Sequence, residues 1–358
     1  MIDSINVVVE RVERLDKSYI KKELGIRVKY KKKYEMETFV YKDIKFMYYI
    51  WYKNLEIETT THKILGKKDI TLSDMEKFKE KINSIINLIL NTKGYNYSFK
   101  LTRTDYYVDV NVGDQLQDYI KLLHKHRQKF GRLKAKKRYD SSVYLKTKSG
   151  KTLNLYSKEI CIKDRGNRKI EKIRRKYKND EEKMMFKIQE IETKVQEQSK
   201  TYKGVIRLEL QNRKGALKSY LRTTKNANKK DADVVIAKRK IDYYWNQKSM
   251  QKYYFDILAK YLYKGKYYKL SKAIEIIQNS KLTKSWKNKL ICFLGAIKYY
   301  GIDEIKENAY NYNTFKSYIK RLTKLNINPI TIDEDSEYDM LESLYTLAVK
   351  QAESKYFI

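Results

Sequence analysis

The sequence predicts an α+β fold, an antiparallel sheet with flanking helices followed by a basic, all-helical C-terminal region. Three observations predict it. Residues 5–60 alternate apolar and polar side chains in "INVVVERV", "IRVKYKKKY" and "FMYYIWYKNLEIE", the period of half-buried strands. Segments 98–111 and 203–213 repeat that alternation further along. Beyond about residue 230, apolar residues recur at every third or fourth position, the period of helices. A chain of 358 residues holds two cores on ordinary domain sizes. The polar stretch "TTKNANKKDAD" marks the boundary, which divides the chain into residues 1–230 and 231–358.

Each element has a local reason. "LSDMEKFKEKINSIINLIL", 72–90, opens with a Ser/Asp cap and continues at helical spacing. "VGDQLQDYIKLLHKHRQKF" predicts a helix from about Asp114. "SSVYLKTKSGKTLNLYSKE" predicts a hairpin with Ser-Gly at its turn. Residues 168–198 keep a near-heptad seam (Ile170, Ile173, Tyr177, Met184, Ile188, Ile191, Val195), interrupted at Glu181. A coiled or hairpin pair of helices fits that seam, with a dimer contact as the alternative.

Lys and Arg number 79 against 44 Asp and Glu, a net charge of +35. Such a surplus attracts polyanions by counterion release. With 34 tyrosines interleaved, it suits nucleic acid, whose bases stack on rings while lysines follow the backbone. An AT-rich coding sequence also enriches Lys, Tyr, Ile and Asn, but it enriches Glu as well and does not explain the surplus. The longest apolar runs are too short to span a bilayer, and "MIDSINVVVERV" lacks the pattern of a signal peptide. The two cysteines, Cys161 and Cys292, have no metal-ligand spacing. A cytoplasmic protein with no membrane partner is expected.

The chemistry gathers on strand faces. In "TRTDYYVDV", 102–110, alternation puts Arg103, Asp105, Tyr107 and Asp109 on one side. In "VIRLELQ", 205–211, it puts Arg207, Glu209 and Gln211 together. If the strands are neighbours, Asp105 and Glu209 converge on a free face with Asp109 nearby. Clustered carboxylates need a cation, and oxygen ligands suit Mg²⁺ or Mn²⁺, which can hold and polarise a phosphate oxygen. The plainer reading is cross-strand Arg–carboxylate ion pairs. The hairpin adds tyrosines: Tyr144 shares a face with Ser142 and Lys146, and Tyr156 with Asn154 and Lys158. A tyrosine that attacks a phosphodiester stores the bond energy as a phosphotyrosine.

In their order, "TRTDYYVDV", "KKRYDSSVYLKTKSGKTLNLYSKE" and "GVIRLELQNR" resemble the phage and plasmid rolling-circle replication initiators of the filamentous-phage gene II/X type, over roughly residues 100–225. The resemblance implies a strand-specific DNA nickase whose sheet domain occupies 1–230. A tyrosine stays linked to the 5′ phosphate and leaves a 3′ hydroxyl as primer, with a divalent metal assisting. Carried onto this chain, it implies Tyr144 as nucleophile, with Tyr156 and Tyr139 as rivals. Asp105 and Glu209 become metal ligands, and Lys158, on the block after the nucleophile, a phosphate contact. The strand faces themselves, apart from the resemblance, set Asp109 near those ligands, Arg207 as a catalytic counter-charge to phosphate, and Arg103 and Lys146 as DNA contacts. Origin DNA, single-stranded or supercoiled, is the implied partner, with host helicase and polymerase; the protein is a monomer or homodimer. One departure stands out. Many such nickases bind metal through a His-hydrophobe-His strand, whereas His124 and His126 here lie in a helical context and do not face one way. They read as surface histidines.

The tail resembles a helix-turn-helix. A helix over about 284–299 ends at Gly301, a short one follows at "DEIKE", and Asn313 or Thr314 caps "FKSYIKRLTKL". Its inner face is Phe315, Tyr318, Ile319 and Leu322; Lys316, Lys320, Arg321 and Lys324 stay outside, suited to a major groove. Two other function classes compete. A non-catalytic origin-binding protein or regulator uses the same charge with the acidic face as salt bridges. A tyrosine recombinase takes "HKHR" and Tyr156 on helices and needs no metal.

Overall fold

The computed structural model describes residues 2–67, 70–125, 134–139, 141–146, 151–213, 216–217 and 241–356, without the side chains of 134–139 and Lys146. His126, the Ser149-Gly150 turn, the whole expected boundary segment at 223–233 and the Tyr139 and Lys146 side chains therefore lie outside the described residues.

Ten strands form one sheet: β1 (Ile2–Val9), β2 (Lys29–Lys31), β3 (Met36–Tyr41), β4 (Ile44–Tyr49), β5 (Asn54–Thr60), β6 (Phe99–Asn111), β7 (Lys134–Tyr139), β8 (Ser142–Lys146), β9 (Lys151–Ser157) and β10 (Val205–Arg213). Their order is β2-β3-β4-β5-β1-β6-β10-β9-β8-β7, and every named pair is antiparallel. The two segments that carry Arg-x-acid, β6 and β10, are neighbours at the centre. Gly204 closes their ladder. It adopts φ +70°, and a Cβ there would stand 2.8 Å from the Gly113 backbone, so only glycine lets the two turns meet.

The alternation that built the strands also divides the sheet. One face buries Ile5, Val7, Tyr106, Val108, Leu155 and Leu208. The helices are α1 (Lys17–Lys22), α2 (Thr61–Leu65), α3 (Met75–Leu90), α4 (Leu116–Lys125), α5 (Lys158–Lys176), α6 (Glu181–Thr201), α7 (Asp256–Leu262), α8 (Leu270–Gln278), α9 (Lys284–Tyr300), α10 (Tyr312–Lys324) and α11 (Leu344–Lys355). A Thr71/Asp74 capping box starts the 72–74 turn that leads into α3, whose Phe78, Ile82, Ile86 and Ile89 are buried. The C-terminal helices join the same core. Tyr106 Oη donates to the Tyr244 carbonyl at 2.7 Å, and Tyr254 Oη to the Leu208 carbonyl at 2.7 Å. Buried side chains on both sides of residue 230 belong to one contiguous cluster.

The seam over 168–198 is a helical hairpin, α5 and α6, joined by a turn at 177–180. Its first helix begins earlier than the seam, at Lys158, because Ser157 caps it by accepting from the Ile160 amide at 3.3 Å. In the tail, α10 begins at Tyr312: Asn311, two residues before the expected Asn313, accepts from the Thr314 amide at 2.9 Å. Phe315, Tyr318 and Leu322 are its buried face. No helix among the described residues is long and apolar enough to cross a membrane.

Candidate active site

Register brings the polar residues into three rows across β8, β9, β10 and β6. The first is Ser142–Tyr156–Arg207–Asp109, the second Tyr144–Asn154–Glu209–Tyr107, and the third Lys146–Thr152–Gln211–Asp105. Each row follows from strand period and antiparallel pairing alone. The residues singled out by sequence therefore share one face.

The two arginines are already engaged. Arg207 grips Asp109 through two parallel bonds, Nε to Oδ1 at 2.6 Å and Nη2 to Oδ2 at 2.7 Å. Its Nη1 lies 3.5 Å from Asp3 Oδ1, and its guanidinium sits 4.0 Å from the Tyr107 ring centroid. It is 6% exposed. Arg103 donates from Nε to both oxygens of Asp105, at 3.0 and 2.9 Å, and from Nη2 at 2.5 Å. Asp105 is fully buried, and burial pushes its carboxyl up to about 7 in spite of Arg103, with the Glu209 charge adding to the rise. Burial thus weakens the Asp105 acid while Arg103 favours its charged form, and burial is the larger of the two.

Glu209 differs from these two carboxylates. It accepts from Gln211 Nε2 at 2.7 Å and from Tyr156 Oη at 3.3 Å, with no arginine bound to it among the described residues. Tyr156 is held as a phenol: burial, and then the Glu209 charge, raise its pKa far above the usual tyrosine range. Lys158 is pulled the other way, down to about 8, by burial and then by the Arg207 charge. Asp3 is held well below the usual carboxylate range; burial opposes this, and the His62 hydrogen bond and Arg207 overcome it.

A groove of about 710 Å³ opens on this face. It is lined by Tyr144, Tyr156, Arg207 and Glu209 of the sheet and by Lys158, Asp164, Arg165 and Arg168 of α5. Tyr144 is half-buried and reaches the groove. Sequence reasoning missed Asp3, Arg165 and Arg168. The two arginines had a signal: they follow Lys158 and Cys161 at helical spacing, once the cap at Ser157 is recognised. Asp3 had none, because a bulge in β1 between Ile2 and Ile5 sets its position.

The carboxylates do not fit a three-ligand metal cage. Asp105 and Asp109 stand four residues apart on one strand, roughly 13 Å at strand rise, too far for bonds of about 2.0–2.6 Å to one ion. Each is also bound to its own arginine. Among the described residues no three Asp, Glu, His or Cys side chains gather as a metal group. Of the three expected ligands, Glu209 alone faces the groove without an arginine partner.

In the tail, Lys316 and Lys320 are exposed as expected, but Arg321 is not on that outer face. Its guanidinium stacks 3.5 Å from the Trp286 ring centroid, and Nη1 donates to Ser317 Oγ at 2.6 Å. The rings of α9 and α10 recruit it, as a planar cation lies well on an indole face. His124 is half-buried on α4. No protein-family model matches the chain, and no curated protein is significantly similar to it.

Proposed function

We propose that the chain is a rolling-circle replication initiator, a strand-specific DNA nicking and joining enzyme that works through a 5′-phosphotyrosine intermediate. The observation that carries this reading is the row Tyr144–Asn154–Glu209, which lines the same groove as Arg165 and Arg168 of α5. A reachable phenol and two cations border one space of about 710 Å³.

A phosphodiester enters with its non-bridging oxygens toward Arg165 and Arg168. Tyr144 Oη attacks phosphorus, the P–O3′ bond breaks, and the 5′ phosphate stays on Tyr144. The phenol proton passes to the neutral amine of Lys158, and the resulting ammonium returns it to the leaving O3′, giving the 3′ hydroxyl. A lysine near 8 can do both at neutral pH. Rejoining is the reverse. Arg207 acts through packing, since Asp109, Asp3 and Tyr107 occupy it. Tyr156 stands behind Tyr144, protonated and tied to Glu209. Mg²⁺ or Mn²⁺ enters this reading through Glu209 alone, and no step is assigned to it. Lys316 and Lys320 of α10, in the helix-turn-helix reading, bind the origin duplex.

A second reading has its own observation: the Arg103–Asp105 and Arg207–Asp109 pairs are both formed, as an origin-binding protein without chemistry requires. One experiment separates them. The protein is incubated with single-stranded oligonucleotides from its own replicon, with Mn²⁺, Mg²⁺ or EDTA, and adducts surviving denaturing electrophoresis are mapped by mass spectrometry. An adduct on Tyr144, lost in Tyr144→Phe, supports the reading. An adduct on Tyr156 or Tyr139 keeps the function and moves the nucleophile. Tight binding with no adduct selects the non-catalytic class.

A further inference from the structure

The two helices of the hairpin differ in charge. α5 carries nine basic residues against three carboxylates, Glu159, Asp164 and Glu171, of which Asp164 lines the groove beside Arg165. α6 balances four lysines with five glutamates. The difference is sharper in the pairing. On α6, Lys187 and Lys194 both bind Glu190, at 3.0 and 2.6 Å. On α5, Arg165, Arg168, Lys172 and Arg175 form no ion pair with a described carboxylate, although all four are exposed.

Those residues are in line. Lys158, Arg165, Arg168, Lys172 and Arg175 are separated by seven, three, four and three positions, so they fall on one flank of the helix. The first three line the reaction groove; the last two continue the same flank outward. The seam to α6, through Gly166, Ile170, Ile173 and Tyr177, lies on the other side. Gly166 sets how closely the helices meet: a Cβ there would stand 2.5 Å from Val195 Cγ2. The stripe therefore faces away from α6 on a helix of 19 residues, about 28 Å long at helical rise.

We propose that α5 is a backbone rail: a single DNA strand held at the groove continues along this helix, its phosphates on Arg168, Lys172 and Arg175. The inference rests on the reading that the groove takes a phosphodiester, and it adds a surface outside that site with a defined partner. Unpaired cations at helical spacing attract the regular charge of a strand without reading its bases. A flexible single strand can follow a straight stripe.

The test is fluorescence anisotropy of a labelled oligothymidylate binding the full chain across a salt series. Three proteins are compared with wild type. K172Q/R175Q removes charge from the outer stripe. K187Q/K194Q removes the same charge from α6. K172R/R175K keeps charge on the stripe and changes only its shape. None of these side chains is buried, so the fold should stand, which a thermal melt checks. The stripe variant should lower the slope of log affinity against log salt by about 1.4, since each of the two single-strand phosphate contacts contributes about 0.7. Between ~50 and ~200 mM salt the wild type then loses roughly sevenfold more affinity than the variant. The α6 variant and the Lys/Arg exchange should match wild type. Equal slopes for the α5 and α6 variants, whether both reduced or both unchanged, overturn the rail. Anisotropy needs no nicking: a reduced slope without a covalent adduct keeps the rail and sinks the nickase, and an adduct with unaltered slopes does the reverse.

Discussion

Two grooves of similar size lie on the same face of the sheet, and Arg103 borders both. The one over β1, β4, β5 and β6 has a volume of about 640 Å³ and is lined by Glu10, Glu56 and Glu58 with Tyr49 and Tyr52. Its carboxylates are satisfied locally: Glu58 by Lys45 at 2.8 Å, Glu10 by Lys100, and Glu56 by the Thr102 hydroxyl at 3.0 Å. The one over β8, β9 and β10 is lined also by α5, whose Arg165 and Arg168 form no ion pair with a carboxylate among the described residues. Strand alternation alone makes a polar face everywhere. A helix that starts directly after β9 adds cations to the part of that face where the sheet offers a phenol and a carboxylate, the part the proposed function uses for a phosphate.

The sharpest way to break this comparison is Tyr144→Phe. It should abolish the covalent adduct while binding of an oligonucleotide stays intact, as read by denaturing electrophoresis beside anisotropy. Next comes Lys158→Met, for which the rate of adduct formation should fall about 10²–10⁴-fold, the usual worth of a positioned acid–base group. The wild-type pH–rate profile should bend near 8, and Lys158→Arg should remove that bend. An unchanged profile would take the proton transfer away from Lys158.

Stability separates the two arginine pairs. Asp109→Asn removes the two-bonded partner of the buried Arg207, leaves it Asp3 alone at 3.5 Å, and should cost up to about 3 kcal/mol in urea denaturation. Asp105→Asn should cost less near pH 5, because burial already favours the protonated carboxyl there. The sign follows from that raised pKa. The group binds its proton more tightly folded than unfolded, so its contribution to stability is full below the unfolded value of 3.8 and is lost as pH rises through about 7. The wild-type denaturation midpoint should therefore fall relative to that of Asp105→Asn between those limits, and parallel curves would refute the assignment. The smallest effect belongs to the other groove: Glu58→Gln removes an exposed ion pair and should change stability by no more than about 1 kcal/mol, with adduct formation untouched.

Much of this was legible in residues. The alternation in 102–110 and 205–211 placed Arg103, Asp105, Asp109, Arg207 and Glu209 on one face, and antiparallel neighbours confirm the pairing. The same period grouped Tyr144 with Ser142 and Tyr156 with Asn154, but that both stand on the face of Glu209 came only from the pairing of β9 with β10. Among the described residues the three expected metal ligands do not gather into one group. Asp105 and Asp109 stand four residues apart on one strand and Arg103 sits two residues from Asp105, both legible in the sequence; that Arg207 comes to Asp109 from the neighbouring strand is decided by register. Arg321 followed the helical period and still left the outer surface, because the Trp286 ring offered its guanidinium a better place than water.

By itself, then, the sequence determined periodicity, and with it the strands, the helices, the polar face of the sheet and the charge that suits a polyanion. These depend on neighbours a few residues apart, whose geometry the backbone repeats. The tertiary structure decided which polar groups are spent on one another and which remain facing a groove. Asp3 reaches Arg207 through a bulge, Arg168 faces Tyr144's groove from another element, and Glu209 is left without an arginine; each outcome depends on distances between segments far apart in the chain, and no local pattern encodes them.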